Sequence, residues 1–174
     1  MIKQDILENL VKTVYLGIGS NLGNKNKNIE LAKFKLQKHN IKIIKCSSKY
    51  ETLSWPNPRN PKFINIVIKI ETLLTPIKLL KVCNTIERIL GRKKSHKNDP
   101  RTCDIDIIDY NQKNLNIEKS KNLIIPHPQI AKRNFVLLPL FEISKSWIHP
   151  KTKANITKLI DSLNIKDLRT IKQI

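Results

Sequence analysis

The sequence predicts an α+β domain, an antiparallel sheet with helices packed on one face. Three observations point there. Apolar residues alternate with period two in four segments and recur at helical spacing in two others. These segments follow one another as β-α-β-β-α-β, the ferredoxin-like order. A chain of 174 residues with 40% hydrophobic content is sufficient for one domain with a buried core.

Each element has a local reason. Residues 14–19 alternate Val14, Leu16 and Ile18, which predicts a buried strand, and Gly19-Ser20-Asn21-Leu22-Gly23 then reads as a turn. A helix is expected over 24–38, with Ile29, Ala32 and Leu36 on one face, and a second strand over 41–48. Residues 52–62 hold Pro56, Pro58 and Pro61 with Asn57 and Asn60, the composition of a loop. Ile64, Ile66, Ile68 and Ile70 define one face of a strand over 63–72, leaving Phe63, Asn65, Val67 and Lys69 on the other. Thr75 and Pro76 supply an N-cap and a first helical position. Leu79, Cys83, Ile86 and Leu90 form a buried stripe, and Gly91 is a natural stop. A basic stretch leads to a strand from Asp104, and residues 129–143 and 156–163 are expected as added C-terminal short helices. No repeat or linker divides the chain, so residues 1–174 read as one domain. Residues 1–12 carry Asp5 and Glu8 and do not read as a secretory signal.

Composition narrows the function. No apolar run approaches the roughly 18–20 residues of a membrane span. The formal net charge of +19 invites a nucleic-acid reading. Its lysines are spread along the whole chain, however, and nine aromatic residues offer few stacking platforms. Cys46, Cys83 and Cys103 are odd in number and far apart, which argues against a disulfide framework and for a reducing, cytoplasmic setting with each thiol as a small buried group.

The most informative stretch is Asp99-Pro100-Arg101-Thr102-Cys103-Asp104-Ile105-Asp106-Ile107-Ile108. In a strand, Asp104 and Asp106 share one face while Cys103, Ile105 and Ile107 enter the core. Adjacent carboxylates repel unless a cation lies between them. Arg92, Lys93, Lys94, Lys97 and Arg101 precede them, and hard oxygen ligands beside a cationic loop suit a magnesium–polyphosphate complex. That loop has no apolar anchor and is expected to close on a triphosphate. Asp109 falls on the Ile105 parity and is expected off the metal-binding face if the strand persists. Phe63 beside Asn65 offers a ring and an amide, as a flat heteroaromatic ligand requires, or simply an exposed sheet face. Gly17, Gly19 and Gly23 do not match G-x-G-x-x-G, and a turn is their expected role, with Ser20 and Asn21 able to offer polar contacts at the end of the first strand. The four histidines, His39, His96, His127 and His149, lack metal-ligand spacing.

Together these segments resemble the 6-hydroxymethyl-7,8-dihydropterin pyrophosphokinase family. Four blocks carry the resemblance, in order between residues 14 and 163. They are Tyr15-Leu16-Gly17-Ile18-Gly19-Ser20-Asn21-Leu22-Gly23, Phe63-Ile64-Asn65, Pro100-Arg101-Thr102-Cys103-Asp104-Ile105-Asp106-Ile107, and Ile125-Pro126-His127 through Arg133-Asn134-Phe135-Val136-Leu137-Leu138-Pro139-Leu140-Phe141-Glu142-Ile143. The resemblance implies transfer of pyrophosphate from ATP to the pterin hydroxymethyl group, releasing AMP, in folate biosynthesis. It implies two Mg2+ ions held by Asp104 and Asp106, with Arg92 and Arg101 in catalysis. Phe63 and Phe135 would sandwich the pterin, Asn65 would bond its edge, and backbone atoms near Thr52, Leu53 and Trp55 would complete that pocket. Glu87, Arg92, Lys94, Arg101, Ile107, Leu123, Ile124, His127 and Arg133 would surround ATP, with Ile107, Leu123 and Ile124 contributing backbone. The implied enzyme is a cytoplasmic monomer acting on small molecules, with neither nucleic acid nor membrane as partner.

This chain departs from the family pattern before Pro100. It reads His96-Lys97-Asn98-Asp99 where a tryptophan is frequent, its loop after Arg92 is one residue shorter, and Lys94 replaces a common arginine. Two other classes stay open at this level. A basic RNA-binding domain could share the topology, and a magnesium-dependent nucleotidyl transferase would release pyrophosphate rather than AMP.

Overall fold

A computed structural model describes residues 10–54, 57–92, 99–117 and 123–174. Trp55, Lys94, the stretch 93–98 that carries the expected loop closure, and residues 1–9 lie outside them. The strands are β1 (Lys12–Ser20), β2 (Lys42–Cys46), β3 (Tyr50–Thr52), β4 (Phe63–Thr72), β5 (Asp104–Tyr110), β6 (Leu115–Ile117), β7 (Leu123–Ile125) and β8 (Ile171–Gln173). The helices are α1 (Lys25–Lys38), α2 (Pro76–Ile89), α3 (Asn134–Ile143), α4 (Ile156–Asp161) and α5 (Ile165–Leu168). Antiparallel pairing runs β5-β1-β4-β3-β8, with β2 also on β4. This is the expected ferredoxin-like connectivity, with the second strand divided in two.

Capping explains the helix starts. Asn24 accepts from the Lys27 amide to open α1, and Thr75 accepts from the Lys78 amide to open α2, with Pro76 following it. Gly91, at φ +88°, stops α2 in a conformation that an L side chain rarely adopts.

The sheet has a core on each face. Ile64, Ile66, Ile68 and Ile70 pack with Leu16, Ile18, Ile105 and Ile107 beneath α1 and α2. Tyr15, Val67 and Ile108 pack on the opposite face against Val136, Leu137, Leu140, Trp147 and Ile156. The expected helices on one face are therefore α1 and α2, and the added C-terminal helices cover the other. An RNA-binding domain of this topology needs a bare aromatic sheet face there, and α3 occupies it. Cys83 and Cys103 are buried as expected, whereas Cys46 is exposed on edge strand β2.

Two departures from regular strands matter to function. The strand expected over 41–48 breaks after Cys46. There Ser47 Oγ accepts from the Val67 amide, and Glu142 of α3 accepts from the Ser48 amide, the Ser48 hydroxyl and the Tyr50 hydroxyl. One carboxylate thus ties α3 to the start of β3.

The second departure is in β5. Tyr15 pairs with Asp109 but Leu16 pairs with Ile107, so Ile108 is an extra residue, a β-bulge. The expectation that Asp109 leaves the carboxylate face is corrected accordingly. The bulge resets the alternation, and Asp109 is buried on the side of α3, accepting from Trp147 Nε1 at 2.8 Å and the Gln112 amide at 2.9 Å. Burial raises its pKa, opposed by these donors. Asp109→Ala should lower unfolding free energy by about 2–3 kcal/mol, because it strands buried donors. Urea denaturation measures this, and a loss below about 0.5 kcal/mol would show the anchor to be idle.

Candidate active site

The site lies at one end of the α3-covered face, where β1, β4 and β5 run side by side. Residues of one parity face it from each strand: Gly17 and Gly19, Phe63 and Asn65, Asp104 and Asp106. Register places Gly17 opposite Asp106, and Gly19 between Asp104 on one side and Asn65 on the other. The floor between carboxylates and amide is thus bare backbone. A turn accounts only for Gly23, at φ +68°. A β-carbon on Gly19 would stand 2.8 Å from Asn65 Oδ1, and one on Gly17 3.3 Å from Ile108 Cδ1.

Arg133 and Phe135, at the start of α3, line the same cavity, as do Thr52, the last residue of β3, and Leu53 just after it. Phe63, Asn65, Phe135, Thr52, Leu53, Asp104, Asp106, Arg101 and Arg133 therefore converge as expected. The Thr52 side chain is the buried one, while Leu53 is partly exposed.

Each carboxylate already has arginine partners. Asp104 accepts from Arg92 Nη1 at 2.6 Å and Arg101 Nη2 at 2.7 Å, and Asp106 accepts from Arg133 Nη1 at 2.9 Å. The guanidinium of Arg101 lies 5.5 Å over the Phe63 ring, and that of Arg133 the same distance over Phe135. The Nε atoms of Arg101 and Arg133 are buried with no hydrogen-bond partner. Such donors suit an anion that has yet to arrive.

Glu87 and Asn21 hold this arrangement from behind. Glu87 of α2 accepts from Arg92 Nη1 and, at 2.7 Å, from the Ile105 amide between the two aspartates. Burial pushes its pKa up to about 7, restrained first by that amide and then by Arg92. In this structure Glu87 thus engages an arginine and the strand backbone. Asn21 Oδ1 accepts from the Arg101 amide at 2.7 Å, and the Asn21 amide donates to the Arg101 carbonyl. The sequence marks Asn21 as a polar residue at the end of the first strand, and its partner, the Arg101 backbone, is what only the fold shows.

The remaining expected nucleotide residues lie along the far edge of β5. His127 follows the cis Ile125–Pro126 bond; its amide donates to the Ile108 carbonyl, and its Nδ1 accepts from the Gln129 amide. Burial lowers the His127 pKa, with Asp106 pulling the other way. Ile107 and Leu123 send their side chains into the core, while Ile124 is exposed on β7. None of these four lines the cavity.

Among the described residues, no group of three or more His, Cys, Asp or Glu side chains could enclose a metal. Two partly exposed carboxylates on one strand face remain. Hard oxygen donors in that number fit Mg2+, which keeps most of its coordination for water and substrate oxygens.

Comparison with known proteins places the chain in a family. The family model for 7,8-dihydro-6-hydroxymethylpterin-pyrophosphokinase (HPPK) matches residues 15–145. The chain is similar to 2-amino-4-hydroxy-6-hydroxymethyldihydropteridine pyrophosphokinase of Aquifex aeolicus, 40% identical over 138 residues, covering 79% of this chain and 84% of that protein. It is 39% identical over 160 residues to the folic acid synthesis protein fol1 of Pneumocystis carinii, covering 92% of this chain but only 21% of that protein. The wild-type HPPK-DHPS of Plasmodium falciparum, solved with pterin and p-hydroxybenzoate, superposes with a TM-score of 0.72 at 18% identity. That match covers 95% of this chain and 47% of the solved one, and it speaks for the fold.

Proposed function

The chain belongs to the 7,8-dihydro-6-hydroxymethylpterin-pyrophosphokinase family, and on that premise we propose that it transfers the terminal pyrophosphoryl unit of ATP to 6-hydroxymethyl-7,8-dihydropterin. The pterin hydroxymethyl oxygen forms a bond to the β-phosphorus, the bond from that phosphorus to the α-bridging oxygen breaks, and AMP leaves. The product serves folate synthesis. One observation carries this reading: a ring-and-amide pocket and a carboxylate pair share one cavity, separated by the glycine floor of β1.

The roles follow from position. Phe63 and Phe135 stack the pterin, and Asn65 bonds its edge. Thr52 and Leu53 close that end, with Trp55 beyond them in sequence. Asp104 and Asp106 would hold two Mg2+ ions, which supply charge neutralisation and polarise the phosphoryl oxygens. Arg92, Arg101 and Arg133 turn from carboxylates to phosphate oxygens, their forked donors suiting bidentate contact. Lys94 adds charge in the same stretch. Glu87 positions Arg92. His127, Ile107, Leu123 and Ile124 form the nucleotide side along β5 and β7.

A monomer acting on small molecules is part of the same proposal. Buried free thiols at Cys83 and Cys103 suit a reducing cytoplasm. No described helix is long and apolar enough to cross a membrane.

Product analysis tests the reading. Incubation with ATP, magnesium and the hydroxymethyl-dihydropterin should yield AMP and a pterin diphosphate in equal amounts. Release of inorganic pyrophosphate instead would identify a nucleotidyl transferase.

A further inference from the structure

We infer that the Thr52 hydroxyl and the bare α-carbon of Gly19 together fix the orientation of the Asn65 amide, and so determine which edge of the pterin it reads. The inference rests on the pterin reading above. Asn65 sits on β4, paired with Gly19 of β1 on one side and Tyr50 of β3 on the other. Thr52 is two residues beyond Tyr50, on the same face and diagonal to Asn65.

Asn65 Nδ2 donates to Thr52 Oγ1 at 2.9 Å, and both side chains are buried, Thr52 at 3% and Asn65 at 7% exposure. A carboxamide has two N–H donors and one oxygen. Thr52 takes one N–H. The oxygen lies over Gly19, where a β-carbon would approach it to 2.8 Å. With the Thr52 hydroxyl accepting, one N–H and one oxygen remain for a ligand, and the reversed amide would need that hydroxyl to donate instead. That pair complements a lactam edge, a ring N–H beside a carbonyl. Turned by half a rotation, the same amide presents donor for acceptor and reads the reversed pattern.

The support behind Thr52 is stiff. Its strand is tied at the other end by the Tyr50 hydroxyl on Glu142, the residue that anchors α3. Thr52 therefore acts through Asn65 as a positioning residue, and Gly19 supplies the space that this amide orientation requires.

Calorimetry on Thr52→Val, Thr52→Ser and Gly19→Ala separates this role from a general packing role. The ligands are the hydroxymethyl-dihydropterin, its 4-amino counterpart, and a non-hydrolysable ATP analogue with magnesium. Thr52→Val should weaken the dihydropterin by about tenfold or more, the scale of one unpaired buried donor. Preference for the 4-oxo over the 4-amino ring should shrink toward one. Thr52→Ser should stay within about threefold of wild type, and Gly19→Ala should follow Thr52→Val. Nucleotide affinity should change by less than about threefold throughout.

Several results would overturn the inference. These are an unchanged ring preference in Thr52→Val, Thr52→Ser as weak as Thr52→Val, or nucleotide affinity falling in step with pterin affinity. Failure of the wild-type protein to bind the dihydropterin is a separate outcome, and it removes the pterin reading itself.

Discussion

Replacing Asp104 or Asp106 should lower turnover by at least about a hundredfold to a thousandfold, the largest effect expected of any side chain in the site. The two carboxylates offer hard oxygen ligands at the cavity, and no third acidic or imidazole group among the described residues could substitute. Asp104→Asn is the preferred variant, because alanine would leave Arg92 and Arg101 facing each other with their shared partner gone. Asparagine keeps the shape and removes the charge. Pterin affinity, carried by Phe63, Asn65 and Phe135, should survive within a few fold. Steady-state rates beside calorimetric pterin binding decide it. Retention of more than about a tenth of the wild-type rate, roughly 1.4 kcal/mol of barrier, would remove the aspartates from the chemistry.

Arg101→Ala should lower kcat by about a hundredfold and raise the nucleotide KM by no more than about fivefold. Arg101 touches Asp104 and lies over Phe63, between the two halves of the cavity, so its contact gains most as charge moves between substrates. Asn21 holds the Arg101 backbone through two hydrogen bonds that the substitution leaves intact, and this isolates the side chain. Arg101→Lys should recover only part of the rate, since an ammonium cannot reproduce the planar fork. A loss of nucleotide affinity as large as the loss of rate would make Arg101 a ground-state binding group.

Much of the site was legible because a strand's period is two. Asp104 with Asp106, and Phe63 with Asn65, were assigned to shared faces from alternation alone, and the ferredoxin-like order followed from where the periods change. What stayed hidden depends on register and partners. Nothing in Gly17 and Gly19 announces that their neighbours across the sheet are Asp106, Asp104 and Asn65. The Ile108 bulge interrupts the alternation with a residue as apolar as its surroundings, so Asp109 was assigned to the wrong face. Glu142 and Asn21 act on residues roughly 80 to 94 positions away, and their chemistry is invisible until the chain has folded.

On the proposed reading, the placement of Arg101 and Arg133 would couple the two substrates thermodynamically. Each guanidinium contacts both a site carboxylate and a ring that the pterin would stack on. A heterocycle arriving alone meets two groups already seated in its cavity. A triphosphate gives those groups a better partner and draws them from the rings. On the proposed reading nucleotide should improve pterin binding by drawing these guanidinium groups away, and linkage would make the favour mutual, pterin tightening nucleotide by the same factor. Such an enzyme would favour a loaded ternary state over either half-filled one.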